Sequence, residues 1–322
     1  MIYADKKIIV CGMARSGIAA ARLLASLGAD VTLQDIKPME ALIKLHDING
    51  YKKSGIKIYA GSNPDDIITD FDYAVLSPGV PCDLPFIQKA RDVGVKVISE
   101  VELAYTLTAC PVCAITGTNG KTTTTTLAGL LLEKKYKNTA VVGNIGVAYC
   151  EKVPTLKTGD YVCAEISSFQ LETSDTFRPH ISAVLNITPD HLNRHKTMEN
   201  YIAVKEKIFA NQTKADFTIL NKKDDICRKM AAKTNGRVFF FSSGETLSEG
   251  IYLEGDNIHI KWDNIDEILI NVNELKILGI HNYENAMAAS ACAVCAGVPL
   301  DDIREVLRDF NGVEHRIEYC GT

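Results

Sequence analysis

A chain of 322 residues with 46% hydrophobic and 23% charged residues has the make-up of a globular protein large enough for two cored domains. Its net charge of −5, with lysines and arginines scattered along the chain, argues against a polyanion-binding surface and excludes nucleic acid as an expected partner. The chain runs straight into a strand-like segment without a basic-then-apolar leader, and its longest weakly polar stretch, residues 286–298, is too short to span a bilayer. The expectation is therefore a cytoplasmic protein with no membrane partner, whose ten cysteines are thiols.

In chain order, residues 7–11 read as a strand, Gly12 to Gly17 as a glycine-bounded turn, 18–27 as a helix and 31–34 as a second strand ending at Asp35. An acid about twenty residues beyond the first glycine of a βαβ unit is the layout of a Rossmann-like module. Ala14 stands where the middle glycine of that fingerprint belongs, so a dinucleotide has a weaker claim than another phosphate-bearing ligand. The alternation continues with strands at 56–59 and 73–76, the turn Ser77-Pro78-Gly79-Val80-Pro81, a helix through Ala90 and a strand at 95–98. The first domain is expected to span residues 1–98.

A helix near residues 100–108 leads into a central domain expected over 99–312. It opens on an apolar strand at 110–115, the loop Gly117-Thr118-Asn119-Gly120-Lys121-Thr122-Thr123, and a helix at 122–135 with Leu127, Leu130 and Leu131 at helical spacing. Such a loop aims backbone N–H groups and a helix N-terminus at an anion. The glycines admit phosphate oxygens close to the backbone, Lys121 supplies a point charge and the Thr122 hydroxyl is suited to Mg²⁺, which makes this an ATP or GTP site. Ile115 occupies the position six residues before the lysine where the general pattern has glycine, which counts against a generic kinase or GTPase. Beyond it, strands at 140–142, 161–164, 183–186, 217–220 and 238–241 alternate with helices, as in a mostly parallel sheet. Three short runs between 251 and 270, divided by Gly255-Asp256-Asn257 and Asp263-Asn264, read as an antiparallel edge. The expected fold class is α/β: a Rossmann-like N-terminal domain followed by a P-loop ATPase-like central sheet with a small antiparallel edge.

Several residues in this domain carry chemistry on their own account. Glu165 ends an apolar strand, a position from which a carboxylate holds Mg²⁺ in loop-type ATPases; capping or plain exposure is the alternative. Asp190 and His191 follow another strand end, where a metal or phosphate would be met. Lys205 sits between Tyr201, Val204 and Ile208 on the apolar face of a helix, so it must find a partner, lose its charge or snorkel to solvent. Asn282 and Asn285 lie on one face of the first turn of an alanine-rich helix, as caps or as ligand contacts. The CxxC pairs Cys110/Cys113 and Cys292/Cys295 fall on a strand and a helix and are assigned no metal.

The shortened loop GTNGKT resembles that of the Mur ligase and folylpolyglutamate synthetase superfamily, and EISSFQLE at 165–172 resembles the corresponding segment of its D-glutamate-adding members. The resemblance covers essentially the whole chain. It implies an ATP- and Mg²⁺-dependent ligase of peptidoglycan precursor synthesis, with UDP-N-acetylmuramoyl-L-alanine and D-glutamate as partners and an acyl phosphate as intermediate. Carried over residue by residue, it implies catalytic roles for Lys121, Glu165, His191 and Lys205, the last carbamylated and placed with Thr122, Glu165 and His191 at the metal. It implies nucleotide contacts from Gly117 to Thr123 and from Asn282, Asn285 and Arg316, and substrate contacts from Asn144, Ser167, Ser168 and Gln170. Arg15, Ser16, Asp35, Ser77, Pro78 and Gly79 would take the UDP moiety. Relatives carry a third domain after the Arg316 segment, so 313–322 is expected to be its stub, in a monomer that holds UDP sugar but ligates weakly or not at all. A ligase of the superfamily that adds a different residue, and a non-enzymatic nucleotide-binding module, stay open as alternatives.

Overall fold

The computed structural model describes residues 2–313; the Arg316 expectation lies outside them. The chain runs through β1 (Lys7–Cys11), α1 (Arg15–Ser26), β2 (Asp30–Asp35), α2 (Met39–Leu45), α3 (Ile48–Lys53), β3 (Lys57–Ala60), β4 (Tyr73–Leu76), α4 (Pro85–Asp92), β5 (Lys96–Ser99) and α5 (Glu100–Thr106). It continues through β6 (Val112–Thr116), α6 (Lys121–Glu133), β7 (Thr139–Gly143), α7 (Tyr149–Lys152), β8 (Tyr161–Glu165), α8 (Ser168–Leu171), β9 (Ile181–Val184), α9 (Leu192–His195) and α10 (Met198–Glu206). The last elements are β10 (Phe217–Asn221), α11 (Asp225–Met230), β11 (Arg237–Ser242), β12 (Gly250–Glu254), β13 (Asn257–Trp262), β14 (Ile265–Asn271), α12 (Ile280–Cys295) and α13 (Leu300–Asp309). Two compact units divide the chain: one runs to Ala109 and includes Val147–Leu156 and Ser168–Phe177, the other holds Cys110–Gly146, Lys157–Ser167 and the chain from Arg178.

The first unit is a five-stranded sheet in the order β3-β2-β1-β4-β5, parallel throughout. Ile8, Ile9 and Val10 of the central strand are fully buried, as a strand covered on both faces requires. Strand order reverses between β1 and β4, and the turns that follow these two strands meet at that switch point. Ser77 Oγ donates to Gly12 O at 3.0 Å, and Ser77 N donates to Cys11 O at 3.0 Å. Helix α1 begins at Arg15, earlier than the sequence pattern placed it, because Ala14 is extended and Ile18 N already bonds to Ala14 O at 3.0 Å. Helices α2 and α3 carry no clear helical period: α2 buries only Leu42 while Ile43 and Leu45 are exposed, and α3 buries Ile48 and Tyr51 under an Asp47 cap.

Two carboxylates of α5 organise the returning segments of this unit. Glu102, buried, accepts the backbone N–H groups of Asp175, Thr176 and Phe177 at 3.1, 2.7 and 3.1 Å. Glu100, also buried, accepts Cys150 N at 2.6 Å while its other oxygen has no hydrogen-bond partner. Burial, outweighing those N–H bonds, pushes the Glu100 carboxyl up to about 7.

The second unit is a nine-stranded sheet ordered β14-β13-β12-β11-β10-β9-β6-β8-β7. It is parallel from β7 to β12, and β12, β13 and β14 form an antiparallel edge. Strand β6 is central and buried along its length, with β8 on one side and β9 on the other. The register pairs Ile115 with Glu165 and Thr116 with Val184, so the C-terminal ends of three neighbouring strands open at one place. Leu127, Leu131 and Leu132 of α6 share a core cluster with Ala286, Ala289 and Ala293 of α12, whose small side chains allow close packing. Cys113 and Cys292, one from each CxxC pair, meet in this core beside Cys163; the contact with Cys163, and burial, hold the Cys113 thiol well above the usual range. Among the described residues no helix is long and apolar enough to cross a membrane.

Two outcomes follow for the first unit. A Cβ on Gly17 would lie 1.9 Å from Gly12 O, so Gly17→Ala must push α1 off the β1 turn; it is expected to cost on the order of 3 kcal/mol in denaturant unfolding. Glu100 keeps its proton to about 7 when folded but loses it near 4.5 when unfolded, so its contribution to stability falls as pH rises between those values. Glu100→Gln should abolish that fall, read as a flatter stability–pH curve over the window.

Candidate active site

Between β6 and α6 the chain makes the turn that the sequence motif announced. Gly117 and Gly120 have φ of +157° and +81°, and a Cβ on Gly120 would lie 2.2 Å from Asn285 Oδ1. Glycine is therefore required at 120 both by backbone conformation and by the approach of α12. The first intrahelical bond of α6 runs from Thr124 N to Gly120 O at 2.9 Å, which leaves the N–H groups of Thr122 and Thr123 at the head of a thirteen-residue helix. Thr122 is half-buried there.

Lysines concentrate positive charge on this loop. Lys121 Nζ donates to Gly117 O at 3.1 Å and to Thr118 O at 2.9 Å. Lys205, only 1% exposed, donates to the same Gly117 carbonyl at 3.0 Å and to Thr116 Oγ1 at 3.1 Å, with its ammonium 5.0 Å from the centre of the Tyr201 ring. Burial first, and the Lys121 charge second, pull the Lys205 amine down to about 7; Asp190 opposes them. The snorkelling alternative is thus overturned: α10 delivers Lys205 inward, onto the loop.

Glu165 is 1% exposed and closes the other side of β6. Its Oε1 accepts Asn144 Nδ2 at 2.7 Å, its backbone carbonyl accepts Asn144 N at 2.9 Å, and its Oε2 is buried without a hydrogen-bond partner. A buried carboxylate oxygen of that kind suits a divalent cation or a proton. Gly143, at φ +107°, makes the approach possible, since a Cβ there would lie 2.3 Å from Glu165 O. Asn144 and Glu165, distant in sequence, are thus brought together. His191 adopts φ +52° and pairs through Nε2 with Asp190 Oδ2 at 3.3 Å on the half-exposed segment after β9. Among the described residues no group of three or more His, Cys, Asp or Glu side chains stands close enough to hold a metal unaided.

At the start of α12, Asn285 is buried and accepts Thr124 Oγ1 at 3.2 Å, while its Nδ2 donates to Asn282 Oδ1 at 3.3 Å. Beside them Asn119, Gly120, Asn186, Phe241 and His281 line a small pocket. Sequence reasoning missed three contributors here. Asn186 grips the loop at Asn119, Thr188 N donates to Thr118 Oγ1 at 3.0 Å, and Glu284 accepts from Ser243 Oγ and Lys223 Nζ. The available signal was position alone: Asn186 ends the strand run next to the loop strand.

In the first unit, Asp35 accepts Met13 N at 2.9 Å and Lys37 N at 3.0 Å, bracing the turn after β1. Ser77 is buried against Gly12, Pro78 is half-buried and Gly79 exposed, while Arg15 and Ser16 open α1 above the switch point. Ser168 and Gln170 are buried in this unit, each 3% exposed, and Ser167, half-buried, precedes them in the other unit.

Residues 115–293 match the Mur ligase middle domain, and residues 6–99 match the Mur ligase MurD-like N-terminal domain. The chain belongs to the Mur ligase family. It is 45% identical to the UDP-N-acetylmuramoylalanine--D-glutamate ligase of Lachnoclostridium phytofermentans, over 100% of this chain and 71% of that protein. The protein of the same name from Clostridioides difficile is 45% identical over 98% of this chain and 69% of its own length. The fold is similar to that of UDP-N-acetylmuramate-alanine ligase from Thermotoga maritima (TM-score 0.54, 25% identity, 96% of this chain and 69% of that one). It is also similar to the fold of the UDP-N-acetylmuramate:L-alanyl-gamma-D-glutamyl-meso-diaminopimelate ligase from Neisseria meningitides (TM-score 0.63, 19% identity, 97% and 100%). The Mur ligase fold of an N-terminal parallel sheet and a central mostly parallel sheet is therefore present in this chain as the sequence reading expected.

Lys205 sets a pH dependence. Folded, it loses its proton near 7; unfolded, near 10.5, so stability rises with pH across that window as the buried charge is relieved. Lys205→Met should be more stable than the parent at about pH 6, and the difference should shrink by about pH 8.5, measured by urea unfolding of both proteins.

Proposed function

We propose that the chain is an ATP-dependent ligase that joins D-glutamate to the alanyl carboxylate of UDP-N-acetylmuramoyl-L-alanine in peptidoglycan precursor synthesis. The observation that carries this reading is 45% identity along the whole chain to a family member named for that ligation. The domain proposed over 1–98, which makes up most of the first unit, takes the UDP moiety at its switch point through Arg15, Ser16, Asp35 and the Ser77-Pro78-Gly79 turn. The second, proposed over 99–312, takes ATP on Gly117 to Thr123, with Asn282 and Asn285 toward the nucleoside.

The chemistry of each residue follows from its setting. Lys121, held on two loop carbonyls beside the head of α6, supplies a point charge for a phosphoryl group bound there. The two glycines let the loop N–H groups meet phosphate oxygens that develop charge during transfer to the substrate carboxylate. The resulting acyl phosphate is attacked by the amine of D-glutamate, and phosphate leaves; no covalent bond to the protein is needed. Asn144 and Ser167 of the second unit are assigned to the carboxylate-bearing substrate. Glu165, Thr122 and His191, with Lys205 once carbamylated, are the residues that would hold Mg²⁺, and the partnerless Glu165 oxygen fits such an ion. Bound there, the ion supplies neutralisation of phosphate charge. A near-neutral Lys205 amine is the form that reacts with CO₂, which supports the carbamylation. The enzyme is further proposed to act in the cytoplasm as a monomer, serving cell-wall growth and hence cell shape and division.

Calorimetric titration of the chain with UDP-N-acetylmuramoyl-L-alanine, with UDP and the dipeptide-bearing homologue as controls, tests the substrate assignment. Selective binding of the alanyl ligand is expected; binding of none, with ATP still bound, would leave a nucleotide-binding module. Lys121→Ala should weaken ATP binding by about tenfold or more and leave the alanyl ligand's affinity unchanged.

A further inference from the structure

Asn186 lies just beyond β9 and has no place in the roles proposed above, yet its side chain holds the phosphate loop at both polar groups of the Asn119 backbone. Its Oδ1 accepts Asn119 N at 2.8 Å, its Nδ2 donates to Asn119 O at 3.1 Å, and its backbone carbonyl accepts Thr118 N at 2.9 Å. The residue is itself anchored from behind. Leu185 N donates to Thr116 O at 3.0 Å, Asn221 Nδ2 donates to Leu185 O at 3.1 Å, and Ile187 N donates to Asp224 Oδ2 at 2.9 Å. Asp224 is fixed in turn, because its other oxygen caps α11.

Two consequences follow for an anion on the loop. The N–H groups of Thr118 and Asn119 are committed to Asn186, so those of Thr122 and Thr123 at the head of α6 are left to meet phosphate. The loop also contains two glycines at positive φ, and ordering such residues costs conformational entropy; a clamp that orders the loop beforehand spares the ligand that cost. We propose that Asn186 is a positioning residue for the nucleotide: its amide clamps Asn119 and presets which backbone donors receive the polyphosphate. This rests on the reading of the loop as an ATP site.

The test is binding of ATP, ADP and AMP to the full chain, its Asn186→Ala and its Asn186→Asp variants, with unliganded melting temperatures measured alongside. Asn186→Ala should weaken ATP and ADP by about tenfold and leave AMP within about twofold, since AMP lacks the outer phosphates. Asn186→Asp should bind ATP more weakly still. Aspartate keeps the acceptor for Asn119 N, but it sets an oxygen against Asn119 O and a negative charge beside the phosphates. A purely structural role predicts the reverse order, because aspartate preserves shape and one bond. Equal losses for AMP and ATP, unchanged ATP affinity in both variants, or failure of both to fold would each overturn the proposal. A parent chain that binds no ATP would instead overturn the nucleotide reading, and the proposal with it.

Discussion

Two lysine ammonium groups converge on a single carbonyl oxygen, that of Gly117, and the design of the second unit follows from making that tolerable. Like charges bound to one acceptor repel each other. The fold answers with the opposing charge of Asp190, with the electron-rich face of Tyr201, and with a Lys205 amine that sheds its proton near 7. Such an arrangement favours an anion in the loop, because negative charge there would offset the two ammonium groups.

The convergence exists because the sheet is parallel. Strands β6, β8 and β9 all end at one place, so Thr116 and the loop, Glu165 with Asn144, and the segment from Asn186 to His191 arrive together although they span much of the unit in sequence. Helix α12 completes the surround through Asn285 against Gly120, an approach that α12 achieves through the alanines it packs on α6. Contacts from Asn186, Lys205 and Asn285 brace this glycine-rich loop.

The first unit solves a different problem with related means. Its switch point is built by close approach at Gly12 and Gly17, with Ser77 and Asp35 satisfying the backbone of the turn. Asp35 illustrates how one residue serves two readings. Its bonds to Met13 N and Lys37 N are sufficient reason for the carboxylate, and they also fix it beside the turn after β1, where the proposed ligand contact is assigned. Buried Glu100 and Glu102 tie distant chain segments into the same unit through backbone N–H groups, a use of carboxylates that no local pattern announces.

Much of this was legible in the sequence. Alternating apolar runs marked the strands to within a residue or two, the Gly117 to Thr123 string marked the loop, and the misfit of Lys205 on an apolar helical face announced that it must find a partner, lose its charge or snorkel. Those features are local: strand periodicity, glycine conformation and the cost of burying charge act within a few residues. What the sequence left open required through-space neighbours. Helices α2 and α3 lack a clean period, so nothing local signalled them; strand β9 ended before Asn186, and only its packing beside β6 turned that side chain onto Asn119. The chain by itself therefore determined the elements and the chemical types at their ends. Tertiary structure alone decided which ends meet, because the partner of a buried charge or amide is selected by strand order and register, and these are long-range properties of the sheet.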